Sequence, residues 1–170
     1  MRRTLAAPGL AAVLGMALLL TACGKTNAHN NTAGETVSTA LFDFSITDVS
    51  LVESYPGIDI PDGECLVRMR LNIKNTSTTT YTMFLQDFQI QWGDDDNDDA
   101  YAAPITYYGN TVSDEQLPEE YDLGVNEEKT GLLVYEVPED SKDYSISYLE
   151  QFSNDTEGDV FFVFFTAKDK

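Results

Sequence analysis

The sequence predicts an all-β protein, an antiparallel β-sandwich of about seven strands, with a closed barrel as the alternative. Three observations carry this. Apolar and polar residues alternate with a period of two in run after run from residue 40 onward. Turn-forming clusters separate the runs, among them Tyr55-Pro56-Gly57, Pro61-Asp62-Gly63, Asn75-Thr76-Ser77 and Val137-Pro138-Glu139-Asp140. No segment sustains the 3.6 period of an amphipathic helix.

The chain begins with a different signal. Arg2 and Arg3 precede an uncharged apolar stretch over residues 5–20, which ends in Leu20-Thr21-Ala22-Cys23. This resembles the lipobox of bacterial lipoproteins, in which a Leu and two small residues precede a lipidated cysteine. A signal peptide over 1–22 is therefore expected, with diacylglyceryl on Cys23. An ordinary secretory signal needs no cysteine at the cut, and Pro8 and Gly9 interrupt the stretch as a membrane span. Two acyl chains suffice for stable anchoring. The expected location is the extracytoplasmic face of the cell membrane.

Residues 23–39 read as the lipidated cysteine and a flexible linker, rich in Asn, Thr and Gly and without periodicity. The only histidine, His29, falls there and is expected to be solvated without fixed partners. Residues 40–170 are expected to form the folded domain. Ala40, Phe42, Phe44 and Ile46 make one face of a first strand. Cys65, Val67, Met69, Leu71 and Ile73 make the clearest apolar face, opposite a mostly charged one expected to meet water. Phe88, Ile90 and Trp92 alternate with Gln89 and Gln91. Residues 131–137 are apolar on both faces apart from Glu136 and predict a central strand. Tyr144, Ile146 and Tyr148 alternate with serines, and residues 160–165 are expected to be buried on both sides. Cys65 is expected to be a buried, inert core residue.

Residues 66–87 and 123–138 resemble the telokin-like, immunoglobulin-like domain of exported bacterial lipoproteins. In that pattern a strand ends in Asn and a polar turn, and an acidic-Lys-Thr-Gly step leads into apolar-apolar-aromatic-Glu-Val-Pro. Here Asn75, Phe88, Gly131, Tyr135, Val137 and Pro138 hold those places. The resemblance covers residues 40–167. It implies an immunoglobulin-like β-sandwich outside the cytoplasm and brings no catalytic residues.

The net charge of −19 excludes nucleic acid as a partner, because phosphates would be repelled. The acidity is concentrated. Asp94, Asp95, Asp96, Asn97, Asp98 and Asp99 could supply oxygen ligands to Ca²⁺, although the run has no EF-hand spacing. The other reading is a solvated hairpin turn. Between Asn75 and Lys129 there are 13 acidic residues and no Lys or Arg. Within that segment Asp114, Glu115, Glu119, Glu120 and Asp122 could face a cationic protein or peptide. Tyr101, Tyr107, Tyr108 and Tyr121 could add a recognition surface or anchor a long loop. An enzyme is not expected: the folded region has no histidine for a nucleophile pair, no phosphate loop and no zinc spacing. The expectation is a non-enzymatic, membrane-anchored binding or scaffolding module without a cofactor. A calcium-dependent adhesion module is the alternative, and a carboxylate-pair glycosidase the weakest reading.

Overall fold

The computed structural model describes residues 26–55, 57–93, 100–111, 113–152 and 156–168. Eleven strands follow in chain order: β1 (Ala28–Thr32), β2 (Val37–Ser38), β3 (Phe42–Val52), β4 (Glu64–Asn75), β5 (Tyr81–Phe84), β6 (Gln89–Trp92), β7 (Tyr101–Ala102), β8 (Glu120–Leu123), β9 (Glu128–Pro138), β10 (Asp143–Gln151) and β11 (Glu157–Thr166). Two 3-10 turns, Leu85–Asp87 and Ile105–Tyr108, complete the elements. The strands form a five-stranded sheet in the order β1-β11-β10-β6-β7, a four-stranded sheet β2-β3-β4-β9 and a β5-β8 ribbon. The β-sandwich is the predicted fold, and every pairing except β1 with β11 is antiparallel.

The period-two runs fix which faces meet. Phe42, Phe44 and Ile46 of β3 and Val67, Met69 and Leu71 of β4 point inward, against Ile90, Ile146, Tyr148 and Val163 of the other sheet. At the centre Phe88 stacks on Tyr148 at 5.4 Å and meets Phe44 edge-on at 5.5 Å. Each such fully buried side chain is worth ~1.5–3 kcal/mol of transfer free energy. Tyr135 of β9 is fully buried, and its hydroxyl donates to the Phe88 carbonyl at 2.9 Å. That bond ties the two sheets together across the core. Cys65 lies buried on the inner face of β4, as its parity predicts.

Two motif residues have structural causes. Asn75 is fully buried and saturates its amide. Its Nδ2 donates to the carbonyls of Thr79 (2.7 Å) and Leu123 (2.9 Å), while its Oδ1 accepts from Ser77 N (2.8 Å) and Ser77 Oγ (2.7 Å). It thus locks the turn after β4 to the end of β8. Gly131 admits the segment preceding β8: a Cβ there would lie 2.6 Å from Leu117 Cγ and 3.0 Å from the Glu115 carbonyl. The turn from Gly124 closes through Glu127 N to Gly124 O at 2.9 Å, with Asn126 in the left-handed region at φ 61°.

Three expectations are corrected. The linker over 23–39 holds two strands: β1 pairs in parallel with β11, Ala28 against Val160 through Thr32 against Phe164, and β2 pairs with β3. His29 has fixed partners; its ring stacks on Phe161 at 4.8 Å and its Nε2 lies 2.8 Å from Asp159 Oδ2. The second correction concerns the outer face of β4. Leu66 at the start of β4 is fully buried with Val134 of β9, under Ile105 and the loop residues Tyr55, Ile58 and Ile60, while Arg68, Arg70 and Asn72 stay partly exposed and Lys74 exposed. The third is β11. It buries only Phe161 and Val163, and leaves Phe162 partly exposed and Phe164 45% exposed.

Candidate functional site

The outer face of the four-stranded sheet is covered around Leu66 and Val134 and charged where it reaches solvent, along Arg68, Arg70 and Lys74, whereas the outer face of the five-stranded sheet is open and largely uncharged. Its composition follows from register. Thr32 pairs with Phe164, Phe164 with Ser145, Ser145 with Gln91, and Gln91 with Tyr101. One row therefore crosses all five strands. A second row beside it runs Asn30, Phe162, Ser147 and Gln89. Residues two apart share a face, so both rows point away from the core. Phe162 and Phe164 stack at 6.1 Å, and Tyr101 is 54% exposed at the far edge. The two rows hold aromatic rings, side-chain amides and hydroxyls, and no ionisable carboxylate or cation.

A cavity of about 750 Å³ opens over this face, lined in part by Thr32, Gln91, Tyr101, Ser145, Phe162 and Phe164. One carboxylate, Asp143, reaches its rim, where Thr166 Oγ1 donates to it at 2.6 Å. Tyr144 lies underneath. Burial, then the nearby Cys65, Asp140 and Asp143, push its phenol above the ordinary range, so it stays neutral. A second cavity of about 70 Å³ lies beside Tyr81, Asp87 and Tyr148. Burial raises the Asp87 carboxyl there, and its volume suits water rather than a ligand.

The sites expected from sequence fall as follows. Cys23 and the run Asp94, Asp95, Asp96, Asn97, Asp98 and Asp99 lie outside the described residues. The strands flanking that run, β6 and β7, pair antiparallel. Asp114 and Glu115 sit on the segment held along β9 by the Gln116–Leu132 bridge, whereas Glu120 and Asp122 project from β8. These acids are divided between two elements and partly engaged: Glu115 lies 3.8 Å from Arg70, and Asp122 accepts from Thr82 at 2.9 Å. Cations offset the acidity further on, as Lys129 of β9 meets Glu127 just before that strand at 2.9 Å and Lys74 of the neighbouring β4 meets Glu128 at 2.7 Å. Of the four tyrosines, Tyr101, Tyr107 and Tyr108 are exposed and Tyr121 is buried. Among the described residues no three His, Cys, Asp or Glu side chains converge as they would around a metal ion.

The sequence reading missed Thr32, Phe162, Phe164 and Ser145 as a shared surface. Gln89 and Gln91 carried the available signal, since they alternate with core residues. In residues 160–165 both parities are apolar, so no alternation marks the outward pair.

No curated protein matches this sequence. Several solved structures share the fold. The yjhA protein of Bacillus subtilis superposes with a TM-score of 0.58 at 18% identity, over 82% of this chain and 99% of that one. A protein of Staphylococcus aureus, described as a candidate lipoprotein, gives 0.51 at 13% identity over 82% and 95%. The ycdA protein of Bacillus subtilis, also described as a candidate lipoprotein, gives 0.55 at 17% identity over 75% of this chain. This chain spans only 37% of that protein's length. One family description matches residues 32–159, most of the folded region, and by it the chain belongs to the family called Domain of unknown function (DUF4352).

Proposed function

We propose that this protein is a lipid-anchored, extracytoplasmic binding module without enzymatic activity, and that it takes a neutral glycan on the open face of its five-stranded sheet. The anchoring part rests on Leu20-Thr21-Ala22-Cys23, and the fold it shares with two candidate lipoproteins supports it. The telokin-like resemblance at Asn75, Gly131 and Tyr135 supports the same setting.

The observation that carries the binding reading is the charge-free character of the two rows on a chain of net charge −19. A cationic peptide would need carboxylates in contact, and an anionic polymer would be repelled by the surrounding field. Stacked rings offer an apolar platform to the C–H faces of a sugar. Gln89, Gln91 and Asn30 offer donors and acceptors to its hydroxyls. Strands lie ~4.8 Å apart, so Phe164 and Tyr101, three strands apart, are separated by ~14 Å, which suits a short oligosaccharide. A calcium-dependent reading would rest on residues 94–99 alone, and no second observation supports it.

The test is calorimetric titration with neutral oligosaccharides, such as N-acetylglucosamine oligomers and maltooligosaccharides. Phe164→Ala, Tyr101→Ala and Gln91→Ala should each weaken binding about tenfold, which corresponds to ~1.4 kcal/mol, with the melting temperature unchanged. Binding that ignores all three variants, or no binding of any neutral glycan, would refute the reading.

A further inference from the structure

Strand β1 changes how the anchor holds the domain. Asn27, just before it, is pinned to β11: its main-chain N and its Nδ2 donate to Asp159 Oδ1 at 3.1 and 2.9 Å, and its carbonyl accepts from Val160 N at 2.9 Å. Only residues 24–26 separate Cys23 from this fixed point. Four residue steps reach at most ~14 Å. The domain therefore cannot stand off from the lipid as a sixteen-residue linker would allow.

Topology then settles which end is near. The starts of β1 and β11 and the end of β10 lie at one end of the sandwich. The start of β3, the end of β4 and the start of β9 lie at the same end, since Phe42 pairs with Asn75 and Lys74 with Glu128. The buried Glu150 joins the two groups, as its carboxylate accepts from Ala40 N at 2.6 Å and Asp159 N at 3.1 Å. The same end carries two ion pairs, Lys74–Glu128 (2.7 Å) and Lys129–Glu127 (2.9 Å), and Asp159 there accepts from Asn27 and lies 2.8 Å from His29 Nε2, while Glu157 at the start of β11 stays exposed. At the opposite end, Glu53, Asp59, Asp62, Glu139 and Asp140 form no ion pair among the described residues. The flanks of the acidic run, Gly93 and Ala100, lie at that far end too, because Trp92 pairs with Tyr144 near the start of β10.

We propose that the end formed by Asn27, the start of β11 and the turns 39–41, 76–80 and 124–127 lies against the lipid surface, with the strands running away from it. This rests on lipidation of Cys23. The ion-paired Glu127 and Glu128 meet anionic headgroups with less repulsion than free carboxylates, and Glu53, Asp59, Asp62, Glu139 and Asp140 are held a domain length away. The ten steps of β9 set that length at ~33 Å. The row through Thr32 and Phe164 stands ~13 Å further out than Ala28 along β1, clear of the headgroups.

The experiment uses the full, lipidated protein in vesicles of phosphatidylcholine and phosphatidylglycerol carrying a headgroup energy acceptor. A donor dye is placed at Gln151→Cys or at Asp140→Cys; the native Cys65 is buried and Cys23 is blocked by lipid. Transfer from Gln151→Cys should exceed that from Asp140→Cys several-fold. Insertion of sixteen Gly and Ser residues after Thr26 should erase the contrast. Equal transfer from both sites in the unextended protein, or greater transfer from Asp140→Cys, would overturn the orientation. Intact mass separates the two readings: an acylated Cys23 with equal transfer overturns this inference alone, and an unacylated Cys23 overturns the anchoring as well.

Discussion

Asn75 is where a motif residue and a measurable energy meet most directly. Replacing it with Ala removes four hydrogen bonds that join the turn after β4 to the end of β8. Three partners, Thr79 O and the two Ser77 groups, lie on residues that are not buried and recover water, at ~1 kcal/mol or less each. The Leu123 carbonyl sits on a fully buried residue, and orphaning it costs ~1–3 kcal/mol. The sum for Asn75→Ala is ~1–6 kcal/mol, read by urea unfolding of residues 23–170 with Cys23→Ser. Asn75→Asp tests the mechanism further. It keeps the acceptor facing Ser77 but sets a carboxylate against two carbonyl oxygens. It should be at least as destabilising at pH 7 and should recover partly near pH 4, where a protonated carboxyl can donate one bond. A loss below ~1 kcal/mol in both variants, or an Asp variant without pH dependence, would refute this account of the motif.

Two further outcomes follow from packing and charge. Gly131→Ala forces a Cβ into Leu117 and the Glu115 carbonyl, so the 113–117 segment must lift from β9; the cost expected is ~1–3 kcal/mol, seen as a lowered melting point and faster amide exchange at Leu132. Glu136 holds its proton up to about 7, first because of its hydrogen bond to Glu64, then because of burial and the Glu64 charge. A raised carboxyl pKa means the folded state binds the proton more tightly than the unfolded chain, so its contribution is complete below about pH 4.5 and is lost as pH rises to about 7. Glu136→Gln should flatten that decline by ~1–2 kcal/mol after solvent screening is discounted, and an unchanged pH–stability profile would remove the pair as its source.

Sequence pattern exposed the sandwich wherever one face of a strand is buried. Residues 67–73 alternate because buried and partly exposed positions alternate there, and in 144–148 the serines mark the outward face even though Ser145 is buried beside Phe164. β1 escaped for the opposite reason. Ala28-His29-Asn30-Asn31-Thr32 buries almost nothing and is held by main-chain bonds to β11, which leave no mark on side-chain hydropathy. On the outer face of β4 only Leu66 was misread, because its cover comes from Ile58, Ile60 and Ile105, distant in sequence and outside the strands. The open face was half legible. Gln89 and Gln91 declare it, but Phe162 and Phe164 look like core until register places them opposite serines.

The placement of β1 also bears on how the fold carries load. Under the proposed anchoring, a pull from Cys23 along the axis of β1 reaches the fold first at Asn27. In a parallel pair the ladder bonds lie across that axis. The pull is therefore shared over the whole Ala28–Thr32 register, with the Asn27–Asp159 clamp taking it first. A hairpin loaded from its open end would instead lose its bonds one pair at a time. The same geometry keeps the load off β6 and β7, which hold Gln91 and Tyr101 on the far side of the sheet from β1. Under the proposed anchoring, a tether joined to a polar edge strand holds the domain near the lipid through main-chain bonds to β11, with Gln91 and Tyr101 on the strands farthest from it, and that strand needs no apolar face to do so.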